Sequence, residues 1–132
     1  MSEESARQFA EDWYSAWNSH DLESILEHYS EQVVFASPFV ATLVGEPDGE
    51  MRGKAELRHY FARALTKFPD LHFEPIELLI GVHSLVLIYR SVNNQLAAET
   101  MRFNRSGSII DVRCHYCDGS EILSIHNRKA MS

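Results

Sequence analysis

Basic side chains are scarce in this chain. Twelve Lys and Arg stand against 19 Asp and Glu, a formal charge of −7 at pH 7. A protein that grips phosphates needs the reverse balance, because clustered cations supply the affinity. The longest basic cluster, Asn127-Arg128-Lys129, lies in the last few residues. The balance argues against nucleic acid and against an anionic membrane surface as partners. Long apolar runs are also missing, and none approaches the roughly 18 residues of a membrane span. The opening Met1-Ser2-Glu3-Glu4-Ser5 lacks the basic head and apolar core of a secretory signal. No membrane span, no leader and a cytoplasmic location are therefore expected. With 4 Pro and 6 Gly the chain has too few of either for a disordered or repetitive protein. The two cysteines form one C-x-x-C, Cys114-His115-Tyr116-Cys117. A structural zinc needs four ligands, and only His115 and His126 lie nearby. A redox pair sits at a helix N-terminus, whereas these cysteines end a stretch that reads as a strand. Two ordinary reduced thiols are expected, and the other histidines suggest no metal site. No cofactor is expected.

Apolar residues are plentiful, at 45% with 11% aromatic. A domain of this size buries roughly two thirds of its unfolded surface. One domain over residues 1–132 is expected, with its core in about 5–116 and a polar tail over 118–132. Ala6, Phe9, Trp13, Ala16 and Trp17 recur at spacings of three and four, which predicts a helix from Glu3 to Asn18. Asp21 is a good N-cap for a second helix whose face is Leu22, Ile25, Leu26 and Tyr29. Val33 to Ala36 reads as a short strand, and Pro38 to Arg52 as a loop. A third helix follows Gly53, with Leu57, Tyr60, Phe61, Ala64, Leu65 and Phe68 on one face, and Pro69 ends it.

Four strands in a meander complete the order. Leu71 to Ile80 contains Pro75 and reads as an edge or bulged strand. Ser84 to Val92 reads as a covered strand, Asn93-Asn94 as a turn that tolerates positive φ, then Gln95 to Phe103 and Ser108 to Tyr116. Helices followed by strands indicate an α+β fold with helices on one face of a mostly antiparallel sheet.

Strand alternation singles out one carboxyl. Ala97, Glu99, Met101 and Phe103 share a face, and Glu99 is its only ionisable group. Burial would raise its pKa and let it act as an acid or base near neutrality. The alternative is a structural pair with Arg90, which a two-residue turn at Asn93-Asn94 would bring diagonal to Glu99, while a longer turn would send Arg90 away. In the last strand Ile110, Val112, Cys114 and Tyr116 should face inward and His115 outward. Trp13 and Trp17 serve either as core or as the wall of an apolar site. Ser37, just before Pro38, is expected at a pocket rim with an exposed hydroxyl. Without a base beside it, it is no nucleophile. Ile122 and Ile125 are expected to cover an apolar edge. Val86 and Ile88, or Leu85, Leu87 and Tyr89, should form an outer apolar face, which predicts a homodimer.

Phe9 to Tyr29, Val33-Val34-Phe35 running into Ser37-Pro38, Gly53 to Leu71, and Ala98-Glu99 through Phe103 with Gly107 and Ile109 resemble the SnoaL-like group of the nuclear transport factor 2-like superfamily. That resemblance implies a cone-shaped α+β barrel, three N-terminal helices closing a strongly curved sheet around a pocket. It spans polyketide cyclases, ketosteroid isomerases, dehydratases, epoxide hydrolases and non-catalytic domains, so it does not choose an activity. The isomerase pattern has a general-base Asp where this chain has Ser37, and a Tyr where it has Trp13. Only its carboxylic-acid donor finds an equivalent, in Glu99. Two functions follow. One is a pocket for a small apolar, aromatic or polyketide-like molecule, with acid–base chemistry by Glu99 and a lining of Trp13, Trp17, Phe35, Ser37, Phe61, Met101 and Tyr116. The other is a non-catalytic ligand-binding or dimeric assembly domain.

Overall fold

In the computed structural model, residues 1–118 are described, so the polar tail and the proposed cover by Ile122 and Ile125 fall outside the described residues. The first helix, α1 (Glu3–Asn18), starts where Ser2 accepts a hydrogen bond from the Ser5 N–H and two glutamates occupy the first turn. Asp21 does the same for Ser24 at the start of α2 (Leu22–Leu26). That helix is short, because Tyr29 does not extend its face but opens strand β1 (Tyr29–Ala36).

The stretch expected as a loop holds a fourth helix and a further strand, α3 (Pro38–Val44) and β2 (Glu50–Arg52). Its signals are local and legible. Ser37 caps the helix by accepting from the Phe39 N–H, Pro38 fits the first turn, and Gly45 ends it at φ 73°. Gly49 permits the tight return, since a Cβ there would sit 2.9 Å from the Ser37 carbonyl oxygen. Helix α4 (Lys54–Lys67) buries Leu57, Tyr60 and Phe61 and stops before Pro69.

Strands β3 (Glu74–Gly81), β4 (Ser84–Arg90), β5 (Gln95–Phe103) and β6 (Ile109–Asp118) form the meander. β3 begins later than expected, because Leu71 to Phe73 is clasped by the end of α1. The Asn18 side chain exchanges hydrogen bonds with the Phe73 backbone at 2.7 and 3.0 Å. Pro75 lies on this edge strand, beside an irregularity between Pro75 and Glu77.

The sheet order is β2-β1-β6-β5-β4-β3. All pairs are antiparallel except β1 with β6. The fold is thus α+β, four helices on a curved six-stranded sheet. The sheet does not close into a barrel, since β2 and β3 remain its two edges. A register shift between Arg102 and Phe103 pairs Phe103 with Ile109 and leaves Ile110 out of step. The expectation for Ile110 is corrected accordingly: Ile109 is fully buried and Ile110 only half-buried. No helix among the described residues is long and apolar enough to cross a membrane.

Candidate functional site

Glu99 sits in mid-β5, on the face that also buries Ala97, Met101 and Phe103. It is 4% exposed. Directly across the sheet lie Leu87 of β4 and Cys114 of β6. Tyr89, one step diagonal on β4, donates its hydroxyl to Glu99 Oε1 at 2.7 Å. No ion pair to Glu99 exists among the described residues. The turn before β5 is longer than two residues, a 3₁₀ segment over Val92–Asn94 with Asn93 and Asn94 both at positive φ. It sets Arg90 opposite Leu96 and sends its guanidinium to the Asn94 carbonyl at 3.2 Å. The structural pair between Arg90 and Glu99 does not form.

A carboxyl buried without a cation favours its neutral form. Burial raises the Glu99 pKa to about 7, while hydrogen bonds from Tyr89 and Cys114 hold it back. All five tyrosines of the chain are raised by burial, and the Glu99 charge adds to the rise in each. Phenols and one carboxyl therefore share the interior of the fold, with Trp13 donating to the Tyr29 hydroxyl at 3.1 Å.

Beside Glu99 lies a cavity of about 50 Å³. Trp17, Phe35, Phe61 and Phe73 wall it, and Tyr60, Tyr89 and Tyr116 contribute phenols. Phe39 and Leu43 of α3, Phe68 and Val92 stand at the half-buried rim. Of the residues singled out from the sequence, Trp17, Phe35, Phe61, Glu99 and Tyr116 meet there. Trp13 and Met101 do not line it. Trp13 stacks on Phe73 at 5.7 Å and is core, as is Met101 at 1% exposure. Ser37 is corrected too, because its hydroxyl is buried and occupied in capping α3.

Sequence reasoning missed Tyr60, Tyr89 and the α3 side chains. Tyr60 was on a helix face already read as core, and inward parity in β4 would have found Tyr89. Phe39 was lost with the helix that carries it. Cys114 and Cys117 are three apart in a strand and point to opposite faces, Cys114 buried beside Glu99 and both thiols free. His115 is exposed on the outer face, its ring 3.2 Å from the Ala98 carbonyl.

The SnoaL-like domain profile matches residues 10–115. A SnoaL-like protein of unknown function from Burkholderia thailandensis E264 superposes with a TM-score of 0.85 at 39% identity, over 88% of this chain and 97% of that one. The epoxide hydrolase/cyclase-like enzyme SalBIII, with a role in pyran ring formation in the polyether salinomycin, superposes at 0.70 and 20% identity, over 87% and 92%. A candidate isomerase of the SnoaL-like family from Agrobacterium tumefaciens superposes at 0.68 and 16% identity, over 85% and 97%. The last two likenesses are of fold alone. No protein of curated function matches the chain.

Proposed function

The chain is a member of the SnoaL-like domain family, and we propose that it performs cofactor-independent proton transfer on a small apolar molecule, with Glu99 giving and taking the proton. One observation carries this reading: among the described residues Glu99 is buried without a counter-ion on the wall of an aromatic cavity, its pKa raised to about 7. At neutral pH such a group is present as acid and as base in similar amounts, the condition under which general acid–base catalysis is efficient. Ser37 offers no base at the end of β1, so a single carboxyl has to remove a proton at one atom and return it at another. Isomerase, cyclase and lyase reactions share that step.

The cavity volume limits the ligand. A dry engineered cavity of about 150 Å³ admits benzene, and about 50 Å³ is well below that. Even one ring enters only if the rim side chains Phe39, Leu43, Phe68 and Val92 give way. This argues for a ligand of about one ring rather than a polycycle. SalBIII supports the reading only to the extent that a related fold accommodates cyclase-like chemistry.

The test is deuterium exchange next to the carbonyl of acetophenone in D₂O, followed by proton NMR. Exchange above the buffer rate, reduced at least about tenfold in a folded Glu99→Gln variant, is expected. Equal rates with and without the carboxyl would remove Glu99 from the chemistry.

A second copy of the chain is the partner we propose. Leu79 is 50% exposed and sits opposite Val86 on the outer face, with Ile88 two residues along β4. Apolar side chains gathered in this way favour burial against a like surface.

A further inference from the structure

The edge of the sheet formed by β3 is largely unguarded. Natural edge strands blunt their open backbone with lysine, proline or a bulge. In β3 the irregularity at Pro75 protects only the first residues, and no lysine follows. The two-residue turn at Val82-His83 makes Gly81 and Ser84 a hydrogen-bonded pair. Counting back in twos, Leu79 and Glu77 also bond toward β4. The N–H and C=O of Leu78 and Ile80 therefore point off the sheet. Among the described residues the Leu78 N–H meets only the side chain of its own neighbour, Glu77 Oε1, at 3.3 Å. Along the same edge Ile76, Ile80 and Val82 are 50%, 41% and 85% exposed.

Beside this edge runs a groove of about 460 Å³ between α1 and β3. Ala10 and Tyr14 stand on one wall, Ile76 and Leu78 on the other, with the buried Leu87 between them. A strand added beyond β3 would send every second side chain to the face that Leu78 and Leu87 share, and so into this groove. The surroundings are acidic. Arg7 is held by Glu3 at 2.8 Å, whereas Glu11 and Glu77 have no ion-pair partner among the described residues. A second copy of this chain, at a charge of −7, would bring more acid to the same place.

We propose that β3 accepts an extended segment of a partner protein as an added strand, one in which apolar and basic side chains alternate. Its backbone bonds to Leu78 and Ile80, displacing the Glu77 carboxylate from the Leu78 N–H. Its apolar side chains enter the groove, and its cations lie toward Glu77, with Glu11 adding to the attraction. In such a contact the main chain supplies affinity and the groove selects the side chains. Glu99 and its cavity take no part, and neither does Leu79, which points to the outer face.

The probe is a short capped peptide of alternating lysine and valine, titrated into the full chain and followed by amide NMR. One control alternates glutamate with valine. A second keeps the lysines but replaces each valine by proline, which preserves the charge and cannot form a strand. The lysine–valine peptide should shift the Leu78 and Ile80 amides and bind at least about tenfold tighter than either control. Ile80→Pro, tolerated on an edge because that N–H bonds nothing in the sheet, should weaken it at least about tenfold. Glu11→Lys should weaken it about two- to fivefold. If Ile80→Pro does not fold, the proline peptide decides alone, since it leaves the protein unaltered. Equal binding of the valine and proline peptides would reduce the contact to general attraction by an acidic protein and overturn the added strand. Shifts confined to other surfaces, or no binding, overturn it as well. A fall in particle mass for Ile80→Pro, with no peptide shift in the wild type, would make a second copy the occupant and also overturn it.

Discussion

Tyr89 and Glu99 lie on adjacent antiparallel strands but not opposite each other. Tyr89 faces Ala97, and Glu99 lies two residues further along, so the phenol reaches the carboxyl on the diagonal, at 2.7 Å. A carboxyl directly opposite would crowd the ring at its base. The diagonal puts the hydroxyl, at the far end of the ring, within reach. The same register excludes Arg90, whose side chain leaves by the other face.

Stability should fall as pH rises through the Glu99 transition. The folded pKa of about 7 lies above the ordinary 4.5, so folding favours the protonated form. The contribution is complete below about pH 4.5 and is lost as pH rises to about 7. A shift of this size corresponds to about 3 kcal/mol. Urea midpoints between pH 4 and 8 should decline for the wild type relative to Glu99→Gln, and parallel curves would show that the carboxyl ionises freely.

Tyr89→Phe should push the Glu99 pKa higher still, because the phenol's hydrogen bond favours the carboxylate. The expected cost in stability at neutral pH is about 1 kcal/mol. Infrared titration of the carboxylic C=O band reads the pKa, and a downward move contradicts the assigned donor.

The two indoles should differ. Trp13 donates to the buried Tyr29 hydroxyl, whereas the Trp17 N–H has no partner among the described residues. Trp13→Phe should therefore destabilise more than Trp17→Phe, by about 1 kcal/mol or more. Chemical denaturation of both variants measures the difference, and the opposite order would mean that Trp17 is bonded.

At the irregularity in β6, Ile109→Ala should cost about 2–5 kcal/mol and Ile110→Ala clearly less. Only the former is fully buried. If the two losses are equal, or Ile110 costs more, the register does not shift there.

Light scattering should give a particle of twice the 15.1 kDa chain mass. A charge introduced by Val86→Glu on the outer face should halve it, while a wild-type monomer would leave that face without the proposed partner.

Much of this architecture could be read before any coordinates. The 3.6-residue stripe of α1, the caps at Asp21 and Gly53, Pro75 on an edge strand and the alternation that turns Glu99 inward are local consequences of propensity and period. The cap signals of α3 were equally local, in Ser37, Pro38 and Gly45, but a helix of seven residues has too little periodicity to stand out among turn formers. Other features were decided by residues distant in the chain. Alternation told which face Glu99 takes but not which side chain meets it, because that depends on the length of the Val92–Asn94 turn and hence on the register with β4. Likewise Ile109 supplants Ile110 through a one-residue shift against β5, and Trp13 becomes core rather than wall because Phe73 stacks on it. Period and caps are properties of a few neighbouring residues, whereas register, counter-ion and cavity belong to strands that meet only when the sheet forms.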